Sequence, residues 1–135
     1  MKELEQVRLD QAREALDEAV ALHTEGMDIG FVLTNLFYAF YYSILAIMNR
    51  GQVPGTMQSI TISLFDQQFI RAGIFRQAYS DAVHRMFVLK PKCGGEKSTV
   101  SADEMNRLLA LARDFIADAE AYCTRRTDQL ERRSL

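Results

Sequence analysis

From Ile29 to Asn49 the chain reads IGFVLTNLFYAFYYSILAIMN, 21 residues without a charge. Such a stretch is long enough to cross a bilayer, and the alternative is a helix enclosed by other helices. Its polar residues favour enclosure. Thr34, Asn35 and Ser43 interrupt it, and Tyr38, Tyr41 and Tyr42 sit in its middle, whereas a membrane span keeps its tyrosines at the two interfaces. The segment is therefore read as the central helix of a bundle with no membrane role. Its hydroxyls and the Asn35 amide then need partners inside the bundle or in a second subunit. Hydroxyls on more than one side of an apolar helix favour the second subunit, so the expected species is a homodimer of twice the 15.4 kDa chain mass.

The remaining sequence is helix with short punctuation. Residues 2–25 are rich in Ala, Leu, Glu and Gln, and Leu9, Ala12, Leu16, Ala19 and His23 fall on one face. Gly26 ends this helix and Asp28 can cap the next. After the turn residues Gly51, Pro54 and Gly55, ITISLF has the alternation of a strand. No second strand exists to pair with it, so a helix from about Met57 to Ala72 is expected, ending at Gly73. Phe75, Ala78, Tyr79, Ala82, Val83, Met86 and Phe87 trace a fourth helix that stops at Lys90-Pro91. Ser101-Ala102-Asp103-Glu104 has the form of a capping box. Behind it Met105, Leu108, Leu109, Ala112, Phe115, Ile116, Ala119, Tyr122 and Cys123 keep helical spacing. The expectation is an all-α, up-and-down bundle of about five helices over residues 1–124, with a frayed tail over 125–135. With 48% apolar and 25% charged residues, the chain has the balance of a folded soluble domain.

The order of these elements, and words within them, resemble the HEPN domain of bacteria and archaea. RLDQAREALDEAVAL is similar to that family's opening helix. FYAFYYS (Phe37 to Ser43) stands where the family has an A-Y-Y-A-M-F-H-A word, with Tyr38 and Ala39 matching directly and Phe37, Phe40 and Tyr41 in kind. SLFDQQFIRAG (Ser63 to Gly73) resembles S-L-F-x-x-x-F-x-x-x-G, RMFVLKPK resembles R-x-F-x-L-R-x-K, and SADE resembles an S-x-E-E helix start. The resemblance spans about Arg8 to Tyr122. It implies a dimeric helical bundle, often encoded beside a minimal nucleotidyltransferase as a toxin–antitoxin pair. Active members are metal-independent ribonucleases with an R-x4–6-H motif, in which a guanidinium forks onto the scissile phosphate and an imidazole moves a proton.

The sequence departs from that motif. Lys90 stands at the arginine position, followed by Pro91, Lys92, Cys93, Gly94 and Gly95, with no His, Tyr or Asn within the spacing. Lysine keeps the charge and loses the fork. Arg76 precedes His84 by an R-x7-H spacing, beyond the limit of six. No catalytic residues are assigned, and an enzyme using this motif is not expected. The implied role is a dimeric accessory or binding subunit for a minimal nucleotidyltransferase, with a divergent ribonuclease toxin as the alternative.

Charge is unevenly spread. Residues 1–28 hold three basic and eight acidic groups, and residues 50–97 hold seven basic and three acidic. Arg85, Lys90, Lys92 and Lys97 are candidates for a rim that binds RNA or a nucleotide phosphate, although no aromatic residue interleaves with them as in single-strand binders. Phe37, Tyr38, Tyr41 and Tyr42 are candidates for the core or a dimer face. GGEKST fails as a phosphate loop because Glu96 separates Gly95 from Lys97. His23 and His84 stand alone in sequence, no E-x-x-H pair occurs, and Cys93 and Cys123 make neither a disulfide framework nor a zinc knuckle. No cofactor and no metal are expected. The charged start, MKELEQVRLDQ, lacks the apolar run of a secretory signal, which with the two cysteines points to the cytoplasm.

Overall fold

The computed structural model describes residues 2–48, 58–89 and 100–133. Five α-helices account for most of them: α1 (Glu3–Thr24), α2 (Ile29–Met48), α3 (Gln58–Phe65), α4 (Gln77–Leu89) and α5 (Ala102–Arg133). The protein is an all-α bundle, with no strand among the described residues.

The α1–α2 turn forms as its residues dictate. Gly26 takes φ +71°, a left-handed conformation that glycine adopts without strain. The Asp28 carboxylate accepts a hydrogen bond from the Gly30 N–H at 3.2 Å, supplying one of the partners that a helix start lacks. α1 and α2 then run antiparallel, so the start of α1 lies beside the end of α2 and of α5. α2 packs against α1, α3, α4 and α5. It is long and apolar enough to cross a bilayer, yet 67% of its most apolar window is buried inside the bundle.

The core is lined as the helical spacing requires. Leu9, Ala12, Leu16 and Ala19 of α1 are buried, and so is the α5 stripe from Met105 to Cys123 except for half-buried Tyr122. His23 shares the α1 spacing but is exposed. Phe115 is the aromatic hub, with Phe40, Phe65, Phe75 and Tyr79 around it at ring separations of 4.8–5.7 Å.

Two expectations are corrected. The helix expected over 57–72 is α-helical only to Phe65 within the described residues. Asp66–Ile70 then forms one π-helical turn, and Arg71–Gly73 a turn. The wider π turn coincides with two demands on the segment: Phe69 stacks on Phe65 at 5.9 Å, and the Asp66 side chain reaches α4. The tail from residue 125 is not frayed through its described part, because α5 continues to Arg133. Arg126 ties it down. The guanidinium donates to the Ile47 carbonyl at 2.7 Å and to the Glu5 carboxylate at 2.5 Å, joining three helix ends.

Candidate functional site

Of the expected phosphate rim, Lys90, Lys92 and Lys97 lie outside the described residues, as does Cys93. Arg85 is described, and its fork is already occupied. Nε and Nη2 donate to the two Glu104 oxygens at 3.2 and 3.0 Å, closing a bidentate pair between α4 and the start of α5. This pair pushes the Arg85 guanidinium up and the Glu104 carboxyl down from their ordinary values. A cleft of about 210 Å³ borders it, lined in part by Asp81, Arg85, Glu104 and Arg107. A phosphate bound by Arg85 would have to displace the Glu104 carboxylate. The sequence hid this competition, since the SADE word accounted for Glu104 as a cap. Only half of that box uses the side chains expected: the Ser101 hydroxyl accepts from the Glu104 N–H at 3.1 Å, and the Glu104 carboxylate goes to Arg85.

His84 is not isolated. Its Nε2 lies 2.5 Å from Asp66 Oδ2, while the Ser80 hydroxyl donates to Asp66 Oδ1 at 2.8 Å. The carboxylate comes from the π turn, eighteen positions earlier in sequence, so no local spacing could announce it. A carboxylate at Nε2 favours the tautomer that donates from there and leaves a lone pair on Nδ1. The imidazole is about half exposed. Arg85 and His84 are neighbours in sequence but sit about 100° apart around α4. One turns to α5 and the other to the π turn, so the fold does not assemble them into one site.

The four aromatic candidates on α2, Phe37, Tyr38, Tyr41 and Tyr42, divide into two pairs. Phe37 and Tyr41 are buried and their rings stack at 5.8 Å, on the side where Phe87 of α4 approaches. Tyr38 and Tyr42 are half-buried and lie on the outside, 5.7 Å apart. Asn35, one turn earlier, satisfies its amide on the Phe31 carbonyl, and Phe31 itself is 59% exposed. Tyr38, Tyr42 and Asn35 form one wall of an open groove of about 320 Å³, and Gln11, Glu14 and Ala15 of α1 form the other. At its end Arg8 lies over the Tyr42 ring at 5.9 Å and donates to Gln11 Oε1 at 2.8 Å. Leu4 and Val7, further along the same flank of α1, are exposed.

Two further polar clusters lie at the bundle's rim. At the closed end of the bundle, burial pushes the Glu5 carboxyl up. Hydrogen bonds from Arg126, Cys123 and the Lys2 backbone outweigh it, so the group titrates below its ordinary value. Burial, reinforced by Glu5, pushes the Cys123 thiol up to about 12, which keeps it inert. Before α4, Arg76 lies over the Tyr79 ring at 4.9 Å, and the Tyr79 hydroxyl donates to Asp118. Burial, with Asp118 second, pushes the Tyr79 phenol up to about 12. Among the described residues no group of three or more His, Cys, Asp or Glu could hold a metal ion.

No family model matches the chain, and no curated protein or solved structure matches it.

Proposed function

We propose that the chain is a HEPN-like binding subunit, dimeric and without the family's ribonuclease chemistry, that works beside a minimal nucleotidyltransferase in the cytoplasm. The observation that carries this is the outer face of the α1–α2 hairpin, where Phe31, Tyr38 and Tyr42 stand partly exposed along an uncharged helix. Exposed aromatic residues on a helical face are the anchors of protein interfaces. The substitution of Lys90 for the motif arginine, with no histidine following it, supports a role other than cleavage. The engagement of Arg85 by Glu104 supports ranking RNA or a nucleotide phosphate second among ligands, at Lys90 and Lys92. The test is affinity purification of a tagged copy from its own host. A stoichiometric nucleotidyltransferase is the expected companion, and a chain that emerges without one contradicts the proposal.

One observation favours the alternative, a divergent ribonuclease toxin. Asp66 orients an exposed imidazole, the arrangement a proton-transferring histidine needs. If the purified chain cleaves RNA and His84→Gln abolishes the cleavage while the fold persists, the enzyme replaces the binding subunit.

A further inference from the structure

The outer face of the α1–α2 hairpin carries two lines of opposite character. Glu14 and Glu18 of α1 and Glu25 at its end are spaced four and seven residues apart, which sets them along one stripe, and all three are exposed. On α2, Phe31, Asn35, Tyr38 and Tyr42 follow at steps of four, three and four. The two lines run side by side, because Glu14 stands in one wall of the open groove and Asn35, Tyr38 and Tyr42 form the other.

The acidic line is left to water. None of its three carboxylates has a cationic partner among the described residues. On another flank of the same helix, Asp10 and Glu120 share Arg13. The difference has a cause in the sequence: residues 14–48 hold five carboxylates and no Lys or Arg. Glu14 and Glu18 stand one turn apart, a like-charge spacing that works against the helix carrying it.

We propose that this groove is the docking site of a basic amphipathic helix from a partner protein, with apolar side chains on Phe31, Tyr38 and Tyr42 and Lys or Arg side chains on Glu14, Glu18 and Glu25. The proposal rests on the binding-subunit reading above and gives the partner's contact its chemistry. Both lines span eleven residues, about 16 Å, so three turns of a helix cover them together. A helix laid in a groove is anchored by side chains at three- and four-residue steps, the spacing of the aromatic line. Cations along its edge meet the carboxylates and the exposed tyrosine faces, and both attract them. A second copy of this chain brings, from residues 14–48, the same five carboxylates and no Lys or Arg. RNA brings phosphates, which the acidic line repels.

The test is fluorescence anisotropy on the full-length chain with a labelled peptide of about four helical turns, Leu along one face and Lys elsewhere, and with its Lys→Glu counterpart. The Lys peptide binds and the Glu peptide does not. Glu14→Lys/Glu18→Lys weakens the Lys peptide at least about tenfold. Asp128→Lys/Glu131→Lys makes the same change in charge on the exposed end of α5 and leaves binding within about twofold. Circular dichroism verifies that both variants fold. Absence of binding by the Lys peptide overturns the proposal, and so does equal binding of the Glu peptide. Equal losses in the two double variants also overturn it, since net charge and not this face would then be responsible. Displacement of the peptide by an RNA oligonucleotide overturns it in favour of a nucleic-acid surface. These failures are distinct from failure of the accessory role, which co-purification of a nucleotidyltransferase decides separately.

Discussion

Two arginines border the same core and have opposite surroundings. Arg126 is held at the closed end of the bundle by the Glu5 carboxylate and the Ala46 and Ile47 carbonyls, with the Tyr122 ring at 5.1 Å. Arg8, three residues after Glu5 and more deeply buried than Arg126, has one amide oxygen and the face of Tyr42. The closed end is complete within one chain. The open face of the hairpin gives Arg8 those two contacts and no ion pair among the described residues. Burial alone does not tell how well an arginine of this protein is held; the number of partners supplied by the chain itself does.

The largest expected effect comes from breaking the closed end. Arg126→Ala leaves the Glu5 carboxylate buried without its counter-charge and destabilises the fold by about 3–5 kcal/mol, read as a lower denaturant midpoint. The same clamp makes stability pH-dependent. The Glu5 carboxyl titrates lower in the folded state than its unfolded value of 4.5. Its contribution is therefore fully present above pH 4.5 and is lost as pH falls through the lower folded value. Thermal melts of the wild type and Glu5→Gln should differ most near neutrality and converge in acid, and a constant gap would show that Glu5 is not the titrating group.

On the open face the sign of the comparison reverses. Tyr38→Ala should weaken binding of the basic helix by about 2 kcal/mol, the size of an interface anchor, while changing the stability of the isolated chain by less. An unfolding loss larger than the binding loss would place Tyr38 with the core instead. Tyr79→Phe removes the buried phenol's bond to exposed Asp118 and should lower stability by about 1 kcal/mol, with dimerisation unaffected. The smallest effect is expected for Arg85→Ala. Its pair with Glu104 is about half solvent-exposed, so the loss should not exceed about 1 kcal/mol. A tighter binding of Glu104→Gln to RNA than the wild type would show that Glu104 screens Arg85 from phosphate.

The helices were legible because their signals are local. The α5 stripe from Met105 to Cys123, the Gly26 turn and the Asp28 cap each depend on residues within a turn or two, and each formed as the spacing dictates. The end of α5 is not legible in the sequence, for the opposite reason. TRRTDQLERRSL has little apolar surface, and nothing nearby in sequence shows that Arg126 reaches a carboxylate 121 positions away. The Asp66–His84 contact was hidden in the same way, with the π turn adding a register that a helical wheel does not anticipate. On α2 the residue types were right and the division was not visible. Phe37 and Tyr41 differ from Tyr38 and Tyr42 only in which side of the helix faces α4, and only the packed bundle reveals that.

The most direct measurement is the mass of the wild-type chain in solution, by light scattering across the micromolar range. If the chain is the dimer proposed, the mass is twice 15.4 kDa and holds on dilution into the low micromolar range. A mass of 15.4 kDa at every concentration would contradict the dimeric reading.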